Sequence, residues 1–430
     1  MNSIIQSRRR FLRNVAGVSA GVAGFPHVVP STVFGAAAPS ERITIGCIGV
    51  GSMGSGNMNS FLDKDKIAQV VAVCDVDKNN LNRAKEAVNK KYGNSDCATY
   101  KDFREVIART DIDALSLALP DHWHSIPVVL GAMAGKDMYG EKPLARTIHE
   151  AKVMRDTMNR YGRIWQTGSW QRSVGNFHHG AELVRNGRIG KVTRVEVGLP
   201  TGNPVGNREV QPVPEHLDWD FWLGPAPWTP YRGVSHWDWR WIMDYSGGQL
   251  TDWAGHHIDI AHWGLGFDET GPVEIEGRGV YPKDGIFNVP TEYRFTCKYA
   301  NGVEMVVAND KQVPRGMGTV WYGEKGWVHV DRGRQATEPA NLWNEVIGPN
   351  ENRLYESRDH HQNFLDCVKS RKKTITPIET ACRSITVGLL GEIAMLLERK
   401  LQWDPQKEEF VNDPEANRLL SRPMRAPWHL

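Results

Sequence analysis

The run Gly49-Val50-Gly51-Ser52-Met53-Gly54 constrains the fold of this chain more than any other stretch. It follows a short β-branched strand over 42–48 and opens a helical pattern reaching about Leu62. In such a turn the first glycine permits a tight bend. The second lets the backbone approach a pyrophosphate, and the third lets the helix pack on the strand. The helix N-terminus then offers free N–H groups and partial positive charge to phosphates. Asp75 closes the next strand, 69–74, where a carboxylate accepts hydrogen bonds from ribose hydroxyls and repels a 2′-phosphate. NAD is therefore expected in preference to NADP. The plainer alternative is that Asp75 only caps the following turn, with Asp77 sharing the work.

Strands 114–119 and 136–140 alternate with helices 79–92, 101–110 and 124–134, the pattern of a parallel sheet covered on both faces. A dinucleotide-binding domain is thus expected over 40–164. Beyond it the strands lengthen and alternate: 192–199, 273–280, 291–299, 303–309 and 327–330. Turn residues such as Asn301-Gly302 point to antiparallel pairing. Helices 177–185, 251–263, 359–371 and 380–399 would cover one face. The expected class is α/β: an N-terminal doubly wound parallel sheet, then an α/β domain over 165–430 with a large, mostly antiparallel sheet.

The first 38 residues hold Arg8, Arg9, Arg10 and Arg13 but no acid. A mild apolar stretch over 15–25 and small residues through Ala38 follow, so the segment reads as a secretory signal of the twin-arginine type, cleaved near 35–38. The expectation is export through the twin-arginine translocon to the periplasm. The whole chain carries 52 basic and 50 acidic residues, and without the four leader arginines the balance turns slightly acidic, 48 against 50. Nucleic acid is therefore an unsuitable partner. The six cysteines lack CxxC spacing, which argues against a structural zinc and a disulfide framework.

Lys142 sits in Glu141-Lys142-Pro143 at the carboxyl edge of the parallel sheet, where doubly wound folds bind ligands. Proline fixes the chain direction there, and Glu141 can hold the lysine charged. Asp252 and His256 stand four apart on an expected helix, with Asp259 three further on, so the three share a face while His257 points elsewhere. A histidine can take a hydroxyl proton as hydride leaves the carbon, and a carboxylate can orient that histidine. A helix cap at Asp252 with a core histidine is the bland alternative. The pair could also ligate zinc, but a nicotinamide already supplies the electrophile, and no metal is expected.

These motifs, with Ala118-Leu119-Pro120-Asp121-His122-Trp123-His124, resemble the Gfo/Idh/MocA oxidoreductases over nearly everything after the leader. The resemblance implies a Rossmann domain followed by an α/β domain whose open sheet serves oligomer contacts, making a homo-oligomer the expected state. It implies catalysis by Lys142, Asp252 and His256, and a cofactor held by Gly49, Gly51, Ser52, Met53, Gly54, Asp75, Pro120, His124, Glu141 and Lys142. The glycine usual between the Asp and His is Ala254 here, with Gly255 next to it.

Half of the 16 tryptophans lie between Trp219 and Trp263. Most are expected in the core, but Trp237 and Trp239, flanked by His236, Asp238 and Arg240, are candidates to stack on a sugar. Arg172 and His178 are further candidate substrate contacts, as is Asp259. An exported enzyme meets little free NAD, so its cofactor should stay bound and be recycled. The expected function is hydride transfer on a sugar, polyol or glycoside. The alternatives are a redox-assisted glycosidase, lyase or epimerase working through a keto sugar, and a sugar-binding protein without catalysis.

Overall fold

The computed structural model describes residues 41–203 and 205–430. The expected leader lies outside the described residues. Six parallel strands form the first sheet: β1 (Ile43–Ile48), β2 (Ala68–Cys74), β3 (Ala98–Tyr100), β4 (Ala114–Leu117), β5 (Asp137–Gly140) and β6 (Trp165–Thr167). Their order is β3-β2-β1-β4-β5-β6, which reverses between β1 and β4. At such a switch point the connections leave on opposite faces, and the carboxyl ends of the strands open a crevice. The connecting helices are α1 (Ser52–Leu62), α2 (Lys78–Tyr92), α3 (Phe103–Ala108), α4 (Ser125–Met133) and α5 (Ile148–Arg160).

The boundary expected at 164 falls one strand short. Met138 and Gly140 on β5 pair with Trp165 and Thr167 on β6, a strand too short to show alternation. Helix α5 was also not anticipated, although its Thr147-x-x-Glu150 start is a capping signal: the Thr147 hydroxyl accepts the Glu150 N–H. The chain later returns to this domain. Helix α10 (His360–Ser370) buries Phe364, Leu365 and Cys367 in one cluster with Ile45, Phe61 and Tyr139.

The second sheet has nine strands in the order β13-β12-β11-β7-β10-β9-β8-β14-β15. They are β7 (Val192–Leu199), β8 (Glu274–Val280), β9 (Glu292–Lys298), β10 (Glu304–Asn309), β11 (Gly318–Gly323), β12 (Gly326–Asp331), β13 (Arg334–Glu338), β14 (Leu401–Asp404) and β15 (Glu409–Phe410). Only β7 and β10 run parallel. On β9, Tyr293, Phe295 and Cys297 are buried while Glu292, Arg294 and Lys298 are exposed, so one face packs and the other is open. The packed face carries α6 (Gly175–Arg185) and helix α11 (Ile378–Leu397). By length and apolarity α11 could cross a membrane, yet 83% of its apolar window is buried inside the protein, as befits a core helix. All six cysteines are free and buried.

The helix expected over 251–263 is interrupted. After the short α7 (Trp219–Leu223), it runs as α8 (Gly248–Trp253), widens to a π turn over Ala254–Ile258, and resumes as α9 (Asp259–Leu265). Such wide turns gather at functional sites.

Candidate functional site

The carboxyl ends of β1, β2, β4 and β5 border a cleft of about 460 Å³ that reaches Asp252, while His256 on the following π turn is not on its wall. Its phosphate end is built by the glycine turn. Gly49 has φ +78°, and a Cβ there would lie 2.3 Å from the Ala118 carbonyl oxygen. One on Gly54 would lie 1.8 Å from the Gly49 oxygen. At Gly51 the nearest atom would be 3.7 Å away, so this glycine leaves open space toward the cleft. Helix α1 begins beside it with no side-chain cap, and its first N–H groups remain available to an anion. Ser52 and Met53 line the same end. These residues fit a dinucleotide pyrophosphate.

Asp75 lies on the cleft and is tied into the turn. Its Oδ2 accepts the Val50 N–H at 2.9 Å, and its Oδ1 accepts the Asp77 N–H at 2.9 Å. Burial pushes its carboxyl up, against the opposing pull of those hydrogen bonds. The Asn80 side chain takes a third lone pair, which leaves one for a ribose hydroxyl.

Pro120 and Glu141 line the cleft, whereas His124 stands behind it. The His124 ring nitrogens face the Leu119 and Leu144 carbonyls at 2.8 and 3.2 Å, so this side chain holds the two loops rather than facing a ligand. Glu141 makes no side-chain hydrogen bond to Lys142, although the lysine's charge still favours its ionised form. Its Oε1 accepts the Asn57 amide at 2.9 Å, and burial raises its carboxyl.

Lys142 instead donates from Nζ to Asp252 Oδ1 at 2.8 Å. The Arg240 Nε stands 3.7 Å from the same oxygen. Burial alone would raise the Asp252 carboxyl, but Lys142, Arg240 and Arg332 outweigh it and hold it below the ordinary range. Asp252 therefore serves the lysine and does not orient His256. The π turn accounts for the difference: each residue of a wide turn advances less around the axis, so His256 lags its regular-helix position. His256 is buried between the edges of Trp170 and Trp253, and its Nδ1 has no hydrogen-bond partner. Burial first, then the charges of Lys142 and Arg332, push its proton affinity well below the usual histidine value. The ring is therefore neutral at neutral pH.

Gly255 makes this approach possible. A Cβ there would lie 2.9 Å from Lys142 Cβ, and the Gly255 carbonyl accepts the Ser169 hydroxyl at 2.6 Å. His257, fully buried, stacks on Trp253 with Nε2 3.6 Å from Asp331.

Arg172, His178 and Asp259 are not on the cleft wall. Arg172 pairs with Asp259 at 2.7 Å and Asp268 at 2.6 Å, all behind the helix. His178 lies 3.6 Å from Glu182 and edges onto Trp263. A guanidinium with two facing carboxylates is already satisfied, so these groups brace the helix. Trp237 is 59% exposed at the rim, and Trp239 lines the cleft. Each lays its ring on the Arg240 guanidinium at 4.3 Å, so those faces are engaged by protein. Arg332 is held in the same manner by Trp170 at 4.7 Å and Trp253 at 4.4 Å. The sequence reading missed Arg332 altogether. It stands in the turn between β12 and β13, and no local pattern points to it. Arg240 was visible only as a flank of the tryptophans.

Residues 43–169 match the oxidoreductase family's NAD-binding Rossmann fold, and residues 179–430 match the same family's C-terminal alpha/beta domain, designated GFO_IDH_MocA and GFO_IDH_MocA_C2. A "Glycosyl hydrolase family 109 protein" of Saccharopolyspora erythraea is 34% identical over 180 residues, 36% of this chain. The match spans 38% of that relative's own length. Among solved structures, the WlbA dehydrogenase from Bordetella pertussis, in complex with NADH and UDP-GlcNAcA, superposes with a TM-score of 0.63 at 16% identity. The aldose-aldose oxidoreductase from Caulobacter crescentus, complexed with glycerol, superposes with 0.61 at 18%. Each covers 84% of this chain and 99% of its own. At these identities the structures establish the shared fold.

Proposed function

The chain belongs to the Gfo/Idh/MocA oxidoreductase family, and on that premise we propose that it moves a hydride at a hydroxyl-bearing carbon of a sugar, polyol or glycoside. The observation that carries this reading is the Lys142–Asp252 ion pair at the dinucleotide cleft, with the buried His256, whose Nδ1 has no hydrogen-bond partner, close enough behind it to feel the Lys142 charge. When bound, NAD supplies the ring that accepts and returns the hydride. Lys142 donates a hydrogen bond to the reacting oxygen and stabilises its developing negative charge. His256 takes the hydroxyl proton and gives it back when the carbonyl is reduced. Asp252, itself flanked by Arg240, holds the ammonium in place. The test is Lys142→Met and His256→Ala. Each lowers turnover by about 100-fold or more while NAD binding persists. Full activity in both variants removes the mechanism.

A second reading is glycoside cleavage through a transient ketone, which leaves no net oxidation. The family 109 relative supports it. A ketone acidifies the neighbouring C–H, so this route exchanges that hydrogen with deuterated water, whereas direct displacement leaves it in place.

We also assign the chain to the exported, periplasmic class, on the arginine-rich leader. Arg8→Lys with Arg9→Lys should keep the precursor in the cytoplasm, and normal export of that variant overturns the assignment. The open face of the nine-stranded sheet is the surface we assign to self-association, checked by light scattering of the purified protein.

A further inference from the structure

Three side chains with no part in the chemistry above meet at the rim of the cleft: Asp77, His216 and His236. The Nε2 of His236 lies 3.2 Å from Asp77 Oδ2, and that of His216 lies 3.6 Å from it. All three ligand atoms fall within 4.8 Å of one another. A tetrahedral zinc with bonds near 2.0–2.1 Å separates its ligand atoms by about 3.3 Å, between the two measured spacings. The carboxylate is set for single-oxygen ligation. Asp77 is buried, and its Oδ1 is taken by the N–H groups of Asn79 and Asn80 at the start of α2, which leaves Oδ2 to face the imidazoles. His216 is fixed by backbone pairing on either side: Lys78 N–H donates to the His216 carbonyl at 2.8 Å, and Asp218 N–H to that of Val76 at 3.1 Å. Both histidines are partly exposed, so an ion has a route in.

We propose that Asp77, His216 and His236 form a zinc-class metal site with an open fourth position. Two imidazole nitrogens and one carboxylate oxygen suit zinc better than magnesium or calcium, which prefer all-oxygen shells. The site joins the turn two residues beyond Asp75 to the segment that carries Trp237, Trp239 and Arg240. A bound ion therefore clamps the adenosine end of the cleft and slows NAD release.

The experiment uses untagged, full-length protein with its NAD, stripped of metal and titrated with cobalt(II), then with zinc. The expected result is one cobalt per chain, with the intense visible absorption of a four-coordinate site that zinc abolishes. His216→Ala and His236→Ala should each weaken cobalt binding at least about tenfold. Unchanged circular dichroism and melting without metal would show that both variants fold. Absence of that band in the wild type, or binding that survives both substitutions, overturns the site. Zinc should also slow NAD release by about fivefold or more, and by linkage NAD should raise zinc affinity as its own affinity rises. Zinc binding with unchanged NAD release overturns the clamp.

Discussion

Gly255→Ala tests whether the π turn sets the position of Lys142. The new Cβ would stand 2.9 Å from Lys142 Cβ, against about 3.5 Å or more for a normal carbon contact, a shortfall of about 0.6 Å. Neither side yields easily. Lys142 Cβ is fixed to the backbone at the end of β5, and the Gly255 carbonyl is held by the Ser169 hydroxyl. Overpacking of this kind costs about 1–3 kcal/mol, offset by about 1 kcal/mol from replacing a helical glycine with alanine. The net loss of stability is therefore small, about 0–2 kcal/mol. The larger effect falls on rate: misplacement by about 1 Å can cost about 100-fold, so half that shift predicts about tenfold. Single-turnover absorbance of the nicotinamide measures the step, and a thermal melt with an NAD titration separates it from folding and binding. Wild-type turnover in Gly255→Ala, with normal NAD affinity, would refute this account of the turn.

Asp75→Ser removes a carboxylate that accepts two backbone N–H groups and lines the cleft. NAD affinity should fall about 10–100-fold, the worth of hydrogen bonds to a charged group, with NADP discriminated less; titration of both cofactors checks it. The acid limb of kcat/KM should lie below pH 6.5, because burial and two cations disfavour protonated His256, and the base is lost only as pH falls through that depressed value. A limb at pH 7 or above contradicts this. Arg332→Leu removes one of those cations, so the same limb should move to higher pH, read from the full rate profile. Gly54→Val should abolish NAD binding or folding, since even a Cβ would meet the Gly49 carbonyl at 1.8 Å; soluble protein with wild-type affinity would refute that.

What the sequence made legible was whatever depends on local pattern. The glycine turn has one demanding backbone solution, and β7 spans 192–199 as expected, although its last five residues are all buried. Asp75 and Lys142 end strands, so the topology alone delivers them to one crevice. The rest depended on geometry that spacing does not encode. Asp252 and His256 were expected to bond because a regular helix aligns positions four apart, and a widened turn sent Asp252 to Lys142 instead. Arg172 and Asp259 are charged residues near the site in sequence, but they satisfy each other and Asp268 in the interior. Trp237 and Trp239 promised sugar stacking, yet Arg240 lies across both rings. Arg332 reaches the site from a turn more than 70 residues beyond His256, where no periodicity could reveal it.

In the proposed reaction the hydride passes to a nicotinamide held near Lys142 and His256. The most direct measurement places deuterium on the hydroxyl-bearing carbons of the sugar that turns over. The reaction is quenched within a single turnover, and the released cofactor is weighed by mass spectrometry. The account predicts deuterium in the cofactor recovered from wild-type protein, and far less from Lys142→Met or His256→Ala. Product formed while the cofactor stays unlabelled would contradict it.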